Sequence, residues 1–282
     1  MKVNNKSMSK HILVTNDDGV MAPGLFALVT EMRHLGKVSV LAPDHNWSGG
    51  GHVNTLDRPL RVREGRLVDG TQAFASDGAP SDCAALASLG YFKEPVDLVV
   101  SGINTGANLG HDVTYSGTVT AAMEAVIAGV PGIAVSLEVP EKHVGEIDFG
   151  PAALAARMIV QRVLEDGLPA ETLLNVNVPF LNNEQIQGFL LTRQGLRVYH
   201  SRLDECIDPR GIPYYWIGGE APTGVPERGT DIGALADGFI SVTPLQLDLT
   251  AYHVLTDLNS WQWHEQPQKY LIHLPAFHVP KS

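Results

Sequence analysis

His11-Ile12-Leu13-Val14-Thr15-Asn16-Asp17-Asp18-Gly19 reads as a buried strand that ends on two adjacent carboxylates and a glycine. The apolar, β-prone run supplies the strand. Asp17 and Asp18 then fall at its carboxyl end, where open α/β sheets bind their ligands. Neighbouring side chains within a strand point to opposite faces. Both acids can therefore serve one site only if the chain has begun to turn, which Gly19 permits. Carboxylates this close repel each other unless a cation or a proton lies between them. A cation is the reading adopted.

Outward from that strand, short β-branched runs alternate with helical patterns. Gly24–Leu35 places Leu25, Leu28, Val29 and Met32 on one helical face. Further strands are expected at Lys37–Leu41, Asp97–Ser101, Gly132–Leu137 and Leu173–Val178, and helices at Asp82–Leu89, Thr118–Ala128 and Phe149–Glu165. This alternation implies an α/β fold with a doubly wound, mostly parallel, Rossmann-like sheet. From about Gly188 the texture changes to short strands, Phe189–Thr192, Tyr214–Gly218 and Phe239–Thr243, among turns such as Asp208-Pro209-Arg210-Gly211. The expected division is a core over residues 1–187 that carries the site, and a β-rich C-terminal extension over 188–282 that makes oligomer contacts.

Composition narrows the class. Over 282 residues, 44% are hydrophobic and 18% charged, as in a globular protein with a full core. The 31 acidic against 20 basic residues leave a net charge of -11, which argues against a nucleic-acid polymer as partner. Cys83 and Cys206 make no disulfide framework, so reduced thiols and a cytoplasmic location are expected. Met1–Lys10 is polar and lacks the apolar core of a signal peptide, and no run approaches the ~20 apolar residues of a membrane span.

Three more segments place polar residues just after strands. Asp44-His45-Asn46-Trp47-Ser48-Gly49-Gly50-Gly51 is either a surface loop or a source of neutral oxygen ligands from Asn and Ser. Ser101-Gly102-Ile103-Asn104-Thr105-Gly106-Ala107-Asn108 alone is an Asx-rich turn. Tyr115-Ser116-Gly117-Thr118-Val119 runs into a helix; its plain reading is an N-cap, yet a helix start also attracts anions. Asp17-Asp18 has a plain reading too, as a capping pair for the next helix. Taken together, oxygen-only donors select a hard cation such as Mg²⁺ or Mn²⁺. A hard cation beside an anion cradle points to phosphoryl chemistry.

These four segments, with Ala22-Pro23-Gly24, Gly78-Ala79-Pro80-Ser81-Asp82-Cys83, Tyr215-Trp216-Ile217-Gly218-Gly219 and Val242-Thr243-Pro244-Leu245, resemble the SurE family of survival protein E nucleotidases from about Ile12 to Thr250. The resemblance implies a metal-dependent phosphomonoesterase acting on nucleoside 5′- or 3′-monophosphates, with short polyphosphate as a further substrate of some members. It implies Asp17, Asp18, Ser48 and Asn104 as ligands of one divalent cation per subunit, with Asp17 and Asp18 also catalytic. It implies Asn46, Ser116, Gly117 and Thr118 around the phosphate, and a homodimer or homotetramer with an exchanged C-terminal hairpin. Trp47, Ala79, His111 and the stretch Gly51-His52-Val53-Asn54 depart from the family's usual residues without removing a ligand. The tail after Thr250, with Trp261, Trp263 and His264, has no counterpart in the pattern.

Two other readings compete. A zinc deacetylase also uses an acidic pair after its first strand, but wants histidine close by, where Asn16 stands. A phosphate- or nucleotide-sensing module is normally a compact domain of roughly 100–150 residues, shorter than this chain. His45, His52 and His111 lie in site loops, where a proton donor to a leaving alkoxide is useful. Each reads first as a loop or structural histidine.

Overall fold

The computed structural model describes residues 9–261; residues 1–8 and 262–282, with Trp263 and His264, lie outside the described residues. The chain divides into two compact units, Met1–Leu245 and Gln246–Ser282. The described part of the second unit carries a short helix, α6 (Tyr252–Asn259). No helix of the described residues is long and apolar enough to cross a membrane.

In the first unit every side chain of β1 (His11–Thr15) is buried. Ile12 and Val14 join one apolar cluster with Leu25 and Leu28 of α1 (Pro23–Met32) and Ala152 and Ala156 of α4 (Gly150–Asp166). Leu13 joins another with Cys83 and Ala84 of α2 (Pro80–Ser88) and Ala125 of α3 (Gly117–Ile127). The two-residue alternation of one strand thus feeds a helical layer on each face of the sheet.

The remaining strands are β2 (Lys37–Pro43), β3 (Val62–Arg66), β4 (Gln72–Ser76), β5 (Leu98–Thr105), β6 (Gly132–Glu138), β7 (Thr172–Pro179), β8 (Phe189–Leu191), β9 (Arg197–Ile207), β10 (Pro213–Gly224) and β11 (Ile240–Gln246). Among the described residues nine of the strands form one sheet, in the order β3-β4-β2-β1-β5-β6-β7-β11-β8. β1 pairs in parallel with β2 on one side and with β5 on the other. The chain therefore leaves β1 in one direction and returns past it in the other, which creates the switch point where such sheets bind ligands.

The sheet is the doubly wound, mostly parallel α/β sheet expected from the sequence, with additions. β3 and β4 form an antiparallel edge hairpin where no strand was expected. β8 and β11, both beyond Gly188, pair in parallel and extend the main sheet. β9 and β10 form a separate antiparallel ribbon, the β-rich element anticipated in the C-terminal region. A short helix, α5 (Asp231–Ala236), separates β10 from β11 and is capped by the Thr230 hydroxyl.

Candidate active site

The turn after β1 is built by Asn16, which is fully buried. Its Nδ2 donates to the Gly19 carbonyl at 3.0 Å and its Oδ1 accepts the Gly19 N–H at 3.2 Å. Gly19 sits at φ +102°, a conformation rarely open to other residues. The sequence reading gave Asn16 no such task. Its signal was local: an Asx residue three before a glycine is a turn builder.

Asp17, only 3% exposed, turns toward the start of α3. The Thr118 hydroxyl donates to its Oδ1 at 2.5 Å. A Cβ on Gly117 would lie 2.7 Å from the Asp17 Cβ, so only glycine lets the helix come this close. Ser116 caps the helix, its Oγ accepting the Val119 N–H at 3.1 Å.

Burial pushes the Asp17 carboxyl up from its ordinary range, against the pull of the Thr118 hydroxyl and the helix amides. Burial first, and then the neighbouring Asp17 charge, push Asp18 up to about 6; a hydrogen bond to the Thr105 backbone opposes them. No lysine, arginine or histidine among the described residues offsets either shift. The pair stands without a cationic side chain.

The loop after β2 is pinned over this turn. The Trp47 N–H donates to the Asp17 carbonyl at 2.8 Å and the Gly51 N–H to the Tyr115 carbonyl at 3.0 Å. Asn46 accepts the Ser48 N–H at 2.7 Å through Oδ1, and its Nδ2 lies 3.4 Å from Asp18 Oδ1. Across the sheet, β5 slips register against β6 between Ser101 and Asn104, the kind of irregularity that re-aims a side chain. The Asn104 Nδ2 is spent on the Gly106 carbonyl at 2.8 Å, which leaves the oxygen as the other polar atom of the side chain.

These segments enclose a cavity of about 260 Å³ lined by Asp17, Ser48, Asn104 and Ser116, together with Asn108 and Asp112. Asp18, Asn46, Gly117 and Thr118 do not line this cavity; Asn46 bonds Ser48 and reaches Asp18, and Thr118 donates to Asp17. Asn108 and Asp112 were not singled out from the sequence. Asn108 is held by Asn177 Oδ1 on its N–H and by Ser136 on its Nδ2, each at 2.7 Å. Asp112 accepts from Arg197 Nε and from the Tyr199 hydroxyl, each at 2.7 Å. None of the three loop histidines lines the cavity. His45 pairs with Asp44 at 2.6 Å, His52 pairs with Glu124 at 2.9 Å, and His111 is exposed.

Among the described residues no three His, Cys, Asp or Glu side chains group as a metal cluster. The donors gathered here are of another kind: carboxylate, hydroxyl and amide oxygens. Fold and site together define a doubly wound α/β protein with an acidic, oxygen-lined pocket at its switch point.

The family profile described as "Survival protein SurE" matches residues 12–201. A "5'-nucleotidase SurE" of Chloroflexus aggregans is 51% identical over 253 residues, covering 90% of this chain and 99% of the relative. One of the same name from Geobacter sulfurreducens is 49% identical over 251 residues, covering 89% and 93%. The crystal structure of the SurE protein from Aquifex aeolicus superposes with a TM-score of 0.74 at 42% identity, over 91% of this chain and 100% of that one. This chain belongs to the SurE family.

Proposed function

We propose that this chain is a divalent-cation-dependent phosphomonoesterase that hydrolyses nucleoside 5′- or 3′-monophosphates to a nucleoside and phosphate. The observation that carries the reading is the convergence of Asp17, Ser48, Asn104 and Ser116, from four separate stretches, on one cavity at the switch point. The relatives named 5'-nucleotidase support the substrate class. A buried and a half-buried carboxylate without a cationic side chain, joined by hydroxyl and amide oxygens, suit one hard ion per subunit, Mg²⁺ or Mn²⁺. Asp17, Asp18, Ser48 and Asn104 would hold it. When bound, the ion supplies Lewis acidity at a phosphoryl oxygen and makes a water more acidic.

The chain's own residues do the rest. The Thr118 hydroxyl fixes Asp17 in one orientation, and Asn46 braces both Ser48 and Asp18. The Ser116 oxygen is occupied by the Val119 N–H, so its proton is the part left to donate to a phosphoryl oxygen. In the reaction a water oxygen bonds to phosphorus and the ester P–O bond breaks. The water's proton passes to the acid pair, with Asp18 the less tightly bonded acceptor. The nucleoside oxygen takes up a proton and leaves as an alcohol.

The reading extends to assembly and location. The ribbon of β9 and β10 exposes Leu203, Trp216 and Ile217, each at 64% or more, which supports a contact arm exchanged between copies in a homodimer or homotetramer. Cys83 and Cys206 are free thiols, in keeping with a cytoplasmic setting.

Phosphate release from a panel of 5′- and 3′-nucleotides, sugar phosphates and short polyphosphate tests the activity. Chelation should abolish release and Mn²⁺ or Mg²⁺ should restore it. Turnover that survives complete chelation would remove the cation from the reading, and no release with any ion would remove the hydrolase.

A further inference from the structure

A second cavity, of about 590 Å³, abuts the first, and Thr105 and Ala107 line both. The dividing wall is also an ion pair, because Arg197 lines the larger cavity while its partner Asp112 lines the smaller. A phosphate ester whose phosphorus sits among Asp17, Ser48 and Asn104 has this larger space beside it for its leaving group. The volume falls in the ~300–1,000 Å³ range of small-molecule sites. Its walls are mixed: Leu109, Val139 and Ile147 are apolar, whereas Glu138 and Glu141 are acidic. Arg197 is the cation there; it pairs with Asp112 at 2.7 Å, and its charge also reaches Glu138 without cancelling the effect of that carboxyl's burial. His143, the remaining titratable group on the wall, spends its Nε2 on the Glu146 carbonyl and lies edge-on to Phe180.

Apolar walls suit a nucleobase. Carboxylates only accept hydrogen bonds when ionised, so Glu138 and Glu141 suit the hydroxyls of a ribose and repel a second phosphate. We infer that the larger cavity receives the nucleoside leaving group, and that Glu138 and Glu141 select substrates whose other sugar hydroxyls are free over those phosphorylated twice. The inference rests on the phosphomonoesterase reading. Short polyphosphate, whose leaving group is itself anionic, meets the same penalty.

The test compares kcat/KM at pH 8 with Mn²⁺ for adenosine 5′-monophosphate and adenosine 3′,5′-bisphosphate, with p-nitrophenyl phosphate as a leaving group that carries no sugar. The unaltered protein should prefer the monophosphate over the bisphosphate by about tenfold or more. Glu138→Gln should raise the bisphosphate-to-monophosphate ratio about tenfold. Glu141→Gln, a change on an exposed side chain that folding tolerates, should raise it about threefold. Ratios in both variants equal to that of the unaltered protein would overturn the inference while the phosphomonoesterase reading stands. Equal rates on both nucleotides in the unaltered protein would do the same. No phosphate from any of the three esters would overturn both together.

Discussion

The carboxyl end of β1 and the ribbon of β9 and β10 are built on opposite logic. At the first, polar groups are tied to partners distant in sequence: the Asp17 carboxylate accepts from the Thr118 hydroxyl, the Trp47 N–H donates to the Asp17 carbonyl, and the Asn108 N–H donates to Asn177 Oδ1. On the second, apolar side chains are exposed, with Ile217 at 86% and Leu203 at 66%. Buried polar groups are stable when partners are supplied, and most of those in the first region find theirs within one chain, with Thr15 Oγ1, Ser101 Oγ and Trp47 Nε1 the exceptions. Exposed large apolar groups clustered on one ribbon mark a surface that other molecules cover. On the proposed reading, chemistry belongs to the first region and association to the second.

The largest way to break this contrast is Asp17→Asn. It should cut phosphate release by about a thousandfold, near 4 kcal/mol of barrier, while circular dichroism keeps the native α/β signal. A rate within tenfold of the unaltered protein would move the chemistry elsewhere. Leu13→Ala tests whether the strand beneath the site is the rigid part. The residue is fully buried, so about 2–5 kcal/mol of unfolding free energy should be lost in a denaturant titration. Ile217→Asp should do the reverse. Unfolding free energy of the isolated chain should change by no more than about 0.5 kcal/mol, whereas sedimentation should shift toward a smaller species. An unchanged sedimentation coefficient would free the ribbon from association.

The smallest effect is one of pH. A carboxyl whose folded pKa lies above its unfolded value stabilises the fold fully below the unfolded pKa, and that contribution is lost as pH rises through the folded one. Asp18 is pushed up to about 6, so the chelated protein should melt at a higher temperature at pH 5 than at pH 7.5. Asp18→Asn should flatten the difference. A chelated protein that gains stability over that interval would contradict the crowding of the two acids.

Much of this architecture is legible because burial writes a period into the sequence. β1, β2, β5, β6 and β7 are β-branched runs covered on both faces, and each was read within a few residues of its observed ends. β3, Val-Arg-Glu-Gly-Arg, was not, since an exposed edge strand carries charges and no apolar alternation. β9 was missed for a related reason: its side chains are mostly exposed, so no buried face marks it as a strand. Among the residues that line the cavity, Asp17 and Ser116 were singled out because one follows a strand and the other opens a helix, whereas Ser48 and Asn104 were named individually through the family resemblance. The partnership of Thr118 with Asp17 spans 101 positions, and that of Asp112 with Arg197 spans 85. No local pattern encodes contacts of that range; folding the sheet creates them.

Trp47 gives the pinned loop an optical consequence. Its half-buried indole stacks at 5.2 Å on His45, its Nε1 has no hydrogen-bond partner, and its backbone is fastened to the carbonyl of Asp17. The fluorophore is therefore mechanically joined to the residue at the centre of the proposed chemistry. Emission from that one side chain, isolated by replacing the other tryptophans with phenylalanine, offers a label-free gauge of occupancy that needs no turnover.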